Sequence, residues 1–147
     1  MADVHLAVGV ALLALNLLAA AWGGLAWLRD RASVPFWYLL RAAQASVFLQ
    51  VMLGALLVVT GHEAADGLHY LYGLLPLPVS LLAEGARAGA AERELGDLEM
   101  DEFEALPEDR QQAIALAIVR REMGIMTVSC IVIFFLALRA AGTSSAF

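Results

Sequence analysis

Residues 5–31 read HLAVGVALLALNLLAAAWGGLAWLRDR, and the length of the uncharged portion decides the fold. From residue 6 to residue 28 there is no Asp, Glu, Lys or Arg; then Arg29, Asp30 and Arg31 arrive together. A helix needs about 20 apolar residues to cross a bilayer, and this run supplies them. Three further runs share its character: residues 36–60, interrupted only by Arg41, residues 68–83, and residues 123–138. The last two are short, and polar-edged extensions over 84–87 and 113–121 lengthen each on one side. Of the 147 residues 61% are hydrophobic, and the mean hydropathy is +0.75. A soluble domain of this size cannot cover so much apolar surface. The sequence therefore predicts an all-α membrane protein, a single four-transmembrane-helix up-down bundle over residues 1–147. Its helices are expected at about 5–28, 35–60, 68–87 and 113–140, with an acidic cytoplasmic loop over 88–110.

All nine basic residues are arginines. Arg29, Arg31 and Arg41 flank the first connection, and Arg87, Arg93, Arg110, Arg120 and Arg121 flank or lie in the third; Arg139 stands at the opposite side. The positive-inside rule places those two connections in the cytoplasm and both termini outside. The net charge of −6 does not oppose this, because acidic residues contribute little to topology. The arginines follow the first apolar run rather than precede it, so helix 1 is expected to remain as a span and not to be a cleaved signal. Together these features point to a multi-pass protein of the bacterial plasma membrane.

Punctuation within the runs is specific. Asp3 is expected to cap helix 1, Pro35 to open helix 2, Gly61 to close it, and Asp66 to cap helix 3. Pro107 is expected at the first position of helix 4. Pro76 and Pro78 remove two backbone donors from the middle of helix 3 and predict a kink. Asn16 and Gln50 each lie ten residues, ~15 Å, in from the outer end of an apolar run, so they are expected to pair. Gln44 is expected to meet Ser80. Lone Cys130 excludes an intramolecular disulfide and reads as a small buried residue.

An internal echo carries the functional reading. "HLAVG" (5–9) and "HYLYG" (69–73) both place a glycine one helical turn after a histidine, and both continue in register to Asn16-Leu17-Leu18-Ala19 and Ser80-Leu81-Leu82-Ala83. In an up-down bundle helices 1 and 3 are diagonal, so the echo suggests a pseudo-two-fold internal repeat along the membrane normal. Two imidazoles facing across the bundle suit haem b, which takes two axial ligands. Gly9 and Gly73 would then clear space for the ring. Tyr72, Phe134 and Phe135 would lie near it, and Arg139 would pair with a propionate. A second set of donors, His62, Glu63 and Asp66 together with His5 and His69, would instead suit a non-haem metal. No glycine-rich phosphate loop, zinc spacing or nucleophile elbow is present in the sequence, and no nucleic-acid partner is expected.

The stretch QVMLGALLVVTG (50–61) followed by LHYLYG (68–73) resembles one half of the haem A synthase family. That family is built from two four-helix halves, each with a histidine pair on alternate helices and an L-G-A-rich helix between them. The resemblance implies that His5 and His69 are haem ligands in such a half. Where the family carries a glutamate shortly before its first histidine and an arginine after it, MADVHLAV supplies Asp3 and Leu6; the resemblance thus extends to haem binding and stops short of the family's oxidase chemistry. The chain is also similar to small four-helix membrane proteins of actinobacteria. Expected functions are electron transfer, haem handling or sensing by a b-type haem protein; a haem-modifying enzyme is a further alternative, against which the missing glutamate argues. The alternatives are a cofactor-free accessory subunit of a respiratory or other membrane complex and the outer-face non-haem metal protein. A homo-oligomer is compatible with each.

Overall fold

The structure, a computed structural model, describes residues 1–64, 66–96 and 98–143. Among these residues all regular structure is helical: α1 (Ala2–Leu28), α2 (Val34–Val59), α3 (Gly67–Leu74), α4 (Pro76–Ala88), α5 (Ala90–Leu95), α6 (Met100–Ala105) and α7 (Glu108–Gly142). Helices α1, α2 and α7, with 27, 26 and 35 residues, are long and apolar enough to cross a membrane. The expected third span is divided into α3 and α4 at Leu75, where the lost donors of Pro76 and Pro78 interrupt the ladder. Leu75 itself stays helical at φ −55° and ψ −32°, and its N–H still reaches the carbonyl of Leu71 at 3.1 Å. Across the junction the Val79 N–H likewise bonds the Leu75 carbonyl at 3.2 Å.

Helix ends follow from the punctuation, with exceptions. The Ser33 hydroxyl caps α2 by accepting from the Phe36 N–H, and the Asp66 carboxylate caps α3 by accepting from the Leu68 N–H at 2.9 Å. Gly61 closes α2 in the left-handed region at φ 86°, with the His62 N–H bonded to Leu57 and its own N–H to Val58. This is the Schellman arrangement that glycine permits. Asp3 does not cap α1. The helix already begins at Ala2, which leaves Asp3 inside the first turn, where a carboxylate still complements the helix dipole. Pro107 is the residue before α7 rather than its first. The acidic segment holds two short helices, and Glu94 of α5 pairs with Arg121 of α7.

Four core stripes alternate steps of four and three residues. They run Leu12, Asn16, Ala19 and Gly23 on α1, and Phe36, Leu40, Ala43 and Val47 on α2; Pro76, Ser80 and Ala83 lie on α4, and Met123, Met126, Cys130 and Ile133 on α7. That spacing is the seam of left-handed helix bundles. The internal echo now has a physical meaning. Residues 12, 16 and 19 match 76, 80 and 83 and all are buried, while the intervening Leu17, Leu18, Leu81 and Leu82 are exposed. His5 and His69 lie one heptad above Leu12 and Pro76, and Gly9 and Gly73 one heptad above Asn16 and Ser80, so all four continue the axial stripe.

Helix α1 packs on α2 and α7, while α4 packs on α7 and only sparsely on α2. The α1–α7 contact is close because of Gly23: a Cβ there would lie 2.4 Å from both the Phe36 ring and the Thr127 hydroxyl. Farther along, the Trp27 indole lies over Gly124. Two expected polar contacts are replaced. Asn16 donates to the Leu12 carbonyl of its own helix at 2.9 Å, and does not meet Gln50. Gln44 reaches Glu84 of α4 at 2.7 Å rather than Ser80, because Arg41, one turn away on the same face, also reaches that carboxylate, at 2.6 Å. Arg87 adds a third bond to Glu84 at 2.8 Å and faces Glu122 of α7 at 3.6 Å. This network joins α2, α4 and α7 at the end of the bundle away from the histidines.

The neighbouring glycines of α1 should behave oppositely. Gly23→Ala should lower the melting temperature of the detergent-solubilised protein, since overpacking costs about 1–3 kcal/mol. Gly24→Ala meets only an ordinary 3.7 Å contact with Thr127, and should leave it unchanged or raise it, as alanine is the better helix former. Equal melting temperatures for the two variants would show that the Gly23 contact does not hold α1 to α7.

Candidate functional site

The first turn of α1 supplies His5 and the first turn of α3 supplies His69. Their ring centroids are 6.2 Å apart, with planes inclined by 57°. The two histidines of the echo, 64 positions apart in the chain, thus meet at the end of the bundle axis.

Each ring has one nitrogen engaged. Nδ1 of His69 lies 2.9 Å from the carbonyl oxygen of Ala140, in the last turns of α7. A carbonyl only accepts, so Nδ1–H donates, and neutral His69 keeps its lone pair on Nε2. Nε2 of His5 lies 3.1 Å from the side-chain nitrogen of Gln50 on α2. Nδ1 of His5 and Oε1 of Gln50 are both buried and have no hydrogen-bond partner. A buried polar atom left unpaired costs about 1–3 kcal/mol, and two adjacent ones mark a site whose polar capacity exceeds what the protein itself uses.

Glycines make this approach feasible. A Cβ at Gly9 would lie 3.0 Å from the Gln50 nitrogen, and one at Gly54 would lie 3.3 Å from Cε1 of His5. Gly9 therefore admits the Gln50 carboxamide, and Gly54 admits the imidazole. A Cβ at Gly73 would meet nothing within 4 Å; that position remains open.

The other expected residues are distributed as follows. Tyr72 lies beneath the Arg139 guanidinium, 5.8 Å from ring centroid to cation, so Arg139 stands at this end, next to Ala140. Phe134 and Phe135 touch edge-on at 5.4 Å, and Phe135 is 61% exposed, facing away from the axis. The five-residue metal cluster does not form. His62 is exposed and contacts Thr60, Glu63 is exposed, and Asp66 is engaged as the α3 cap. Among the described residues no three His, Cys, Asp or Glu side chains converge on a metal position. Gln50, Gly54 and the Ala140 carbonyl were not foreseen as neighbours of the pair. The signal for the first two was their place on the α2 seam, Gln50 three residues beyond Val47 and Gly54 four beyond Gln50. Tyr70 adds support from outside, its hydroxyl accepting from the Ala64 N–H at 2.8 Å and fixing the turn before α3.

The chain matches no protein-family model, no curated protein and no solved structure.

In the cofactor-free protein, Gln50→Leu should destabilise by about 1–3 kcal/mol, since it strands the His5 ring nitrogen. The double variant His5→Leu/Gln50→Leu should recover most of that loss, because replacing both partners by apolar groups removes the unpaired atoms. Thermal unfolding of the two single variants and the double variant reads the coupling; additive losses would show that the His5–Gln50 contact contributes nothing.

Proposed function

We propose that the chain is a b-type haem-binding integral membrane protein, with His5 and His69 as the axial pair and a role in electron transfer, haem handling or sensing. The observation that carries this is the separation of the two imidazoles. A metal bonded to two ring nitrogens at about 2.0–2.1 Å each holds the ring centroids about 6 Å apart, and the observed value is 6.2 Å. Haem iron needs only two protein ligands, since the porphyrin supplies the other four. A donor set of two histidines with no third convergent ligand among the described residues suits that demand.

The surrounding residues fit the group. The Ala140 carbonyl fixes the His69 tautomer and leaves Nε2 to ligate, the second-shell device common to metal-binding histidines. Gln50 would orient His5, and its carboxamide, on a flexible stem against Gly9, is the group that would move as a ring enters. Gly73 leaves room, and Arg139 is the cation available to propionates at this end. Bound haem would supply a one-electron couple. The departure from the haem A synthase pattern at Asp3 and Leu6 favours electron transfer, handling or sensing over oxidation of the haem itself.

The same reading takes α3 and α4 together as one span, giving four crossings, and places the α1–α2 turn and the acidic segment in the cytoplasm with both ends of the chain outside. Five of the nine arginines lie between Arg87 and Arg121 and three lie between Arg29 and Arg41, which is the asymmetry that sets orientation. A reporter active only in the cytoplasm should work when inserted beside Gly96 and fail when fused after Thr143. The reverse pattern would overturn the assignment of sides.

The wild-type protein, purified after haem-replete expression, should show a Soret band with a six-coordinate low-spin spectrum. His5→Ala and His69→Ala should each abolish the low-spin form to a similar extent, the double variant should add little, and His62→Ala should be silent. Loss in His69→Ala alone would remove His5 from the site. Absence of both haem and metal from the wild type would leave the histidine pair as a packing feature of an accessory subunit.

A further inference from the structure

At the end of the bundle away from the histidines, α1 closes in the same motif that ends α2, but with an aspartate where glycine is preferred. Asp30 adopts φ 52°, the Arg31 N–H bonds the Ala26 carbonyl at 3.0 Å, and the Asp30 N–H bonds that of Trp27 at 3.1 Å. A non-glycine residue in the left-handed region costs roughly 1 kcal/mol or more. The aspartate here is held by an ion pair with Arg120 of α7 at 2.7 Å. The consequence is a fixed turn that presents Arg29 and Arg31 on either side of a neutralised Asp30.

Those two guanidinium groups have no ion-pair partner among the described residues, whereas Arg41, Arg87, Arg120 and Arg121 all do. Both line one groove of about 200 Å³, together with Trp22, Leu25, Ala26 and Ser33. The groove wall is built: the Trp22 indole N–H donates to the Ser33 hydroxyl at 2.8 Å, and that same oxygen caps α2. Below the arginines an exposed apolar stripe, Leu18, Trp22 and Leu25, ascends α1 with four- and three-residue steps and leads to Arg29.

We propose that this groove binds the phosphodiester headgroup of an anionic phospholipid, with Arg29 and Arg31 on the phosphate and an acyl chain along Leu18, Trp22 and Leu25. Guanidinium forks match phosphate oxygens in pairs, and tryptophan prefers the headgroup level. The apolar stripe selects a lipid over a free anion, since exposed Leu18, Trp22 and Leu25 offer an acyl chain a surface that a small anion cannot use. The proposal rests on the membrane reading and is independent of the haem site and of which leaflet the turn occupies.

The test uses the detergent-solubilised full chain, titrated with phosphatidylglycerol, with phosphatidylcholine of the same acyl chains, and with inorganic phosphate, read by native mass spectrometry and thermal shift. One phosphatidylglycerol should be retained and should raise the melting temperature; phosphatidylcholine and inorganic phosphate should do neither. Arg29→Gln/Arg31→Gln should weaken the phosphatidylglycerol affinity about thirtyfold, with the single variants intermediate, and with helicity confirmed by circular dichroism. Arg93→Gln/Arg110→Gln, which removes the same charge from the acidic segment, should bind as wild type. Equal binding by the Arg29/Arg31 variant, equal binding of phosphatidylcholine, equal loss in the Arg93/Arg110 control, or stabilisation by inorganic phosphate would each overturn the proposal. Recovery of the wild-type chain from the soluble fraction of a lysate would instead overturn the membrane reading beneath it.

Discussion

The close approach of α1 to α7 at Gly23 sets the geometry on which the other features depend. Where the outer surface of a helix is as apolar as its inner one, burial of apolar area does not decide which face turns inward. Shape decides it, along with the polar atoms that need partners. At Gly23 the phenyl ring of Phe36 and the hydroxyl of Thr127 occupy the space a side chain would need. Ala19 and Ala20 keep the same face slim, and both are buried. With that contact made, the rotation of α1 about its axis is fixed. Every position four or three residues back along the stripe, Ala19, Asn16, Leu12, Gly9 and finally His5, then faces the same way.

The two ends of the bundle differ in how their polar groups are satisfied. Around Glu84 every strong donor has found an acceptor: Arg41, Gln44 and Arg87 converge on one carboxylate, and Arg87 continues to Glu122 while lying over the Trp37 ring. Such a network ties three helices together and leaves little chemistry over. Around His5 the count is reversed. One ring nitrogen and one carboxamide oxygen are buried without partners, beside a second imidazole whose tautomer is fixed from α7. Unpaired buried polar atoms are costly; of the three among the described residues one is the Thr127 hydroxyl beside Gly23, and the other two lie side by side here, which is the physical basis for placing ligand chemistry at this end. Arg29 and Arg31 of the α1–α2 turn, without an ion-pair partner among the described residues, are a different case, exposed at the surface and cheap in isolation, with a groove at their side.

The division between what the residues announced and what packing decided can be followed on particular side chains. The presence of long apolar helices, the interruption at Leu75–Pro76, the Gly61 close and the Asp66 cap were legible from composition and local punctuation, whereas α7 begins at Glu108, five residues before the expected 113. The echo was legible too, although its cause was not. The repeat of His, Gly, a small polar residue and Ala lies in the register of the axial stripe, buried at 12, 16 and 19 and again at 76, 80 and 83, a packing role that only the assembled helices reveal. The Asn16–Gln50 pair failed because equal depth was counted from the outer ends of two apolar runs taken as level. They are not level. His5 lies three residues from the start of α1, yet Gln50, which touches it, lies nine residues from the end of α2, a stagger of about 9 Å.

That stagger marks the boundary between the two sources of information. The sequence by itself determined that the chain forms long apolar helices, since that follows from local composition, and that its internal echo repeats residue types on a four-three spacing. It also determined that two histidines occupy equivalent positions on that spacing. Which side of each helix faces the axis was decided by shape, at contacts such as Gly23. Only the tertiary structure decided how far one helix is slid along another. A heptad pattern looks the same after a shift of seven residues, about 10 Å along the axis, so spacing alone leaves the height of α1 against α2 undetermined. Non-periodic fits, Gly23 under Phe36, Trp27 over Gly124 and the His5 ring against Gly54, select one height, and at that height the partner of His5 is Gln50.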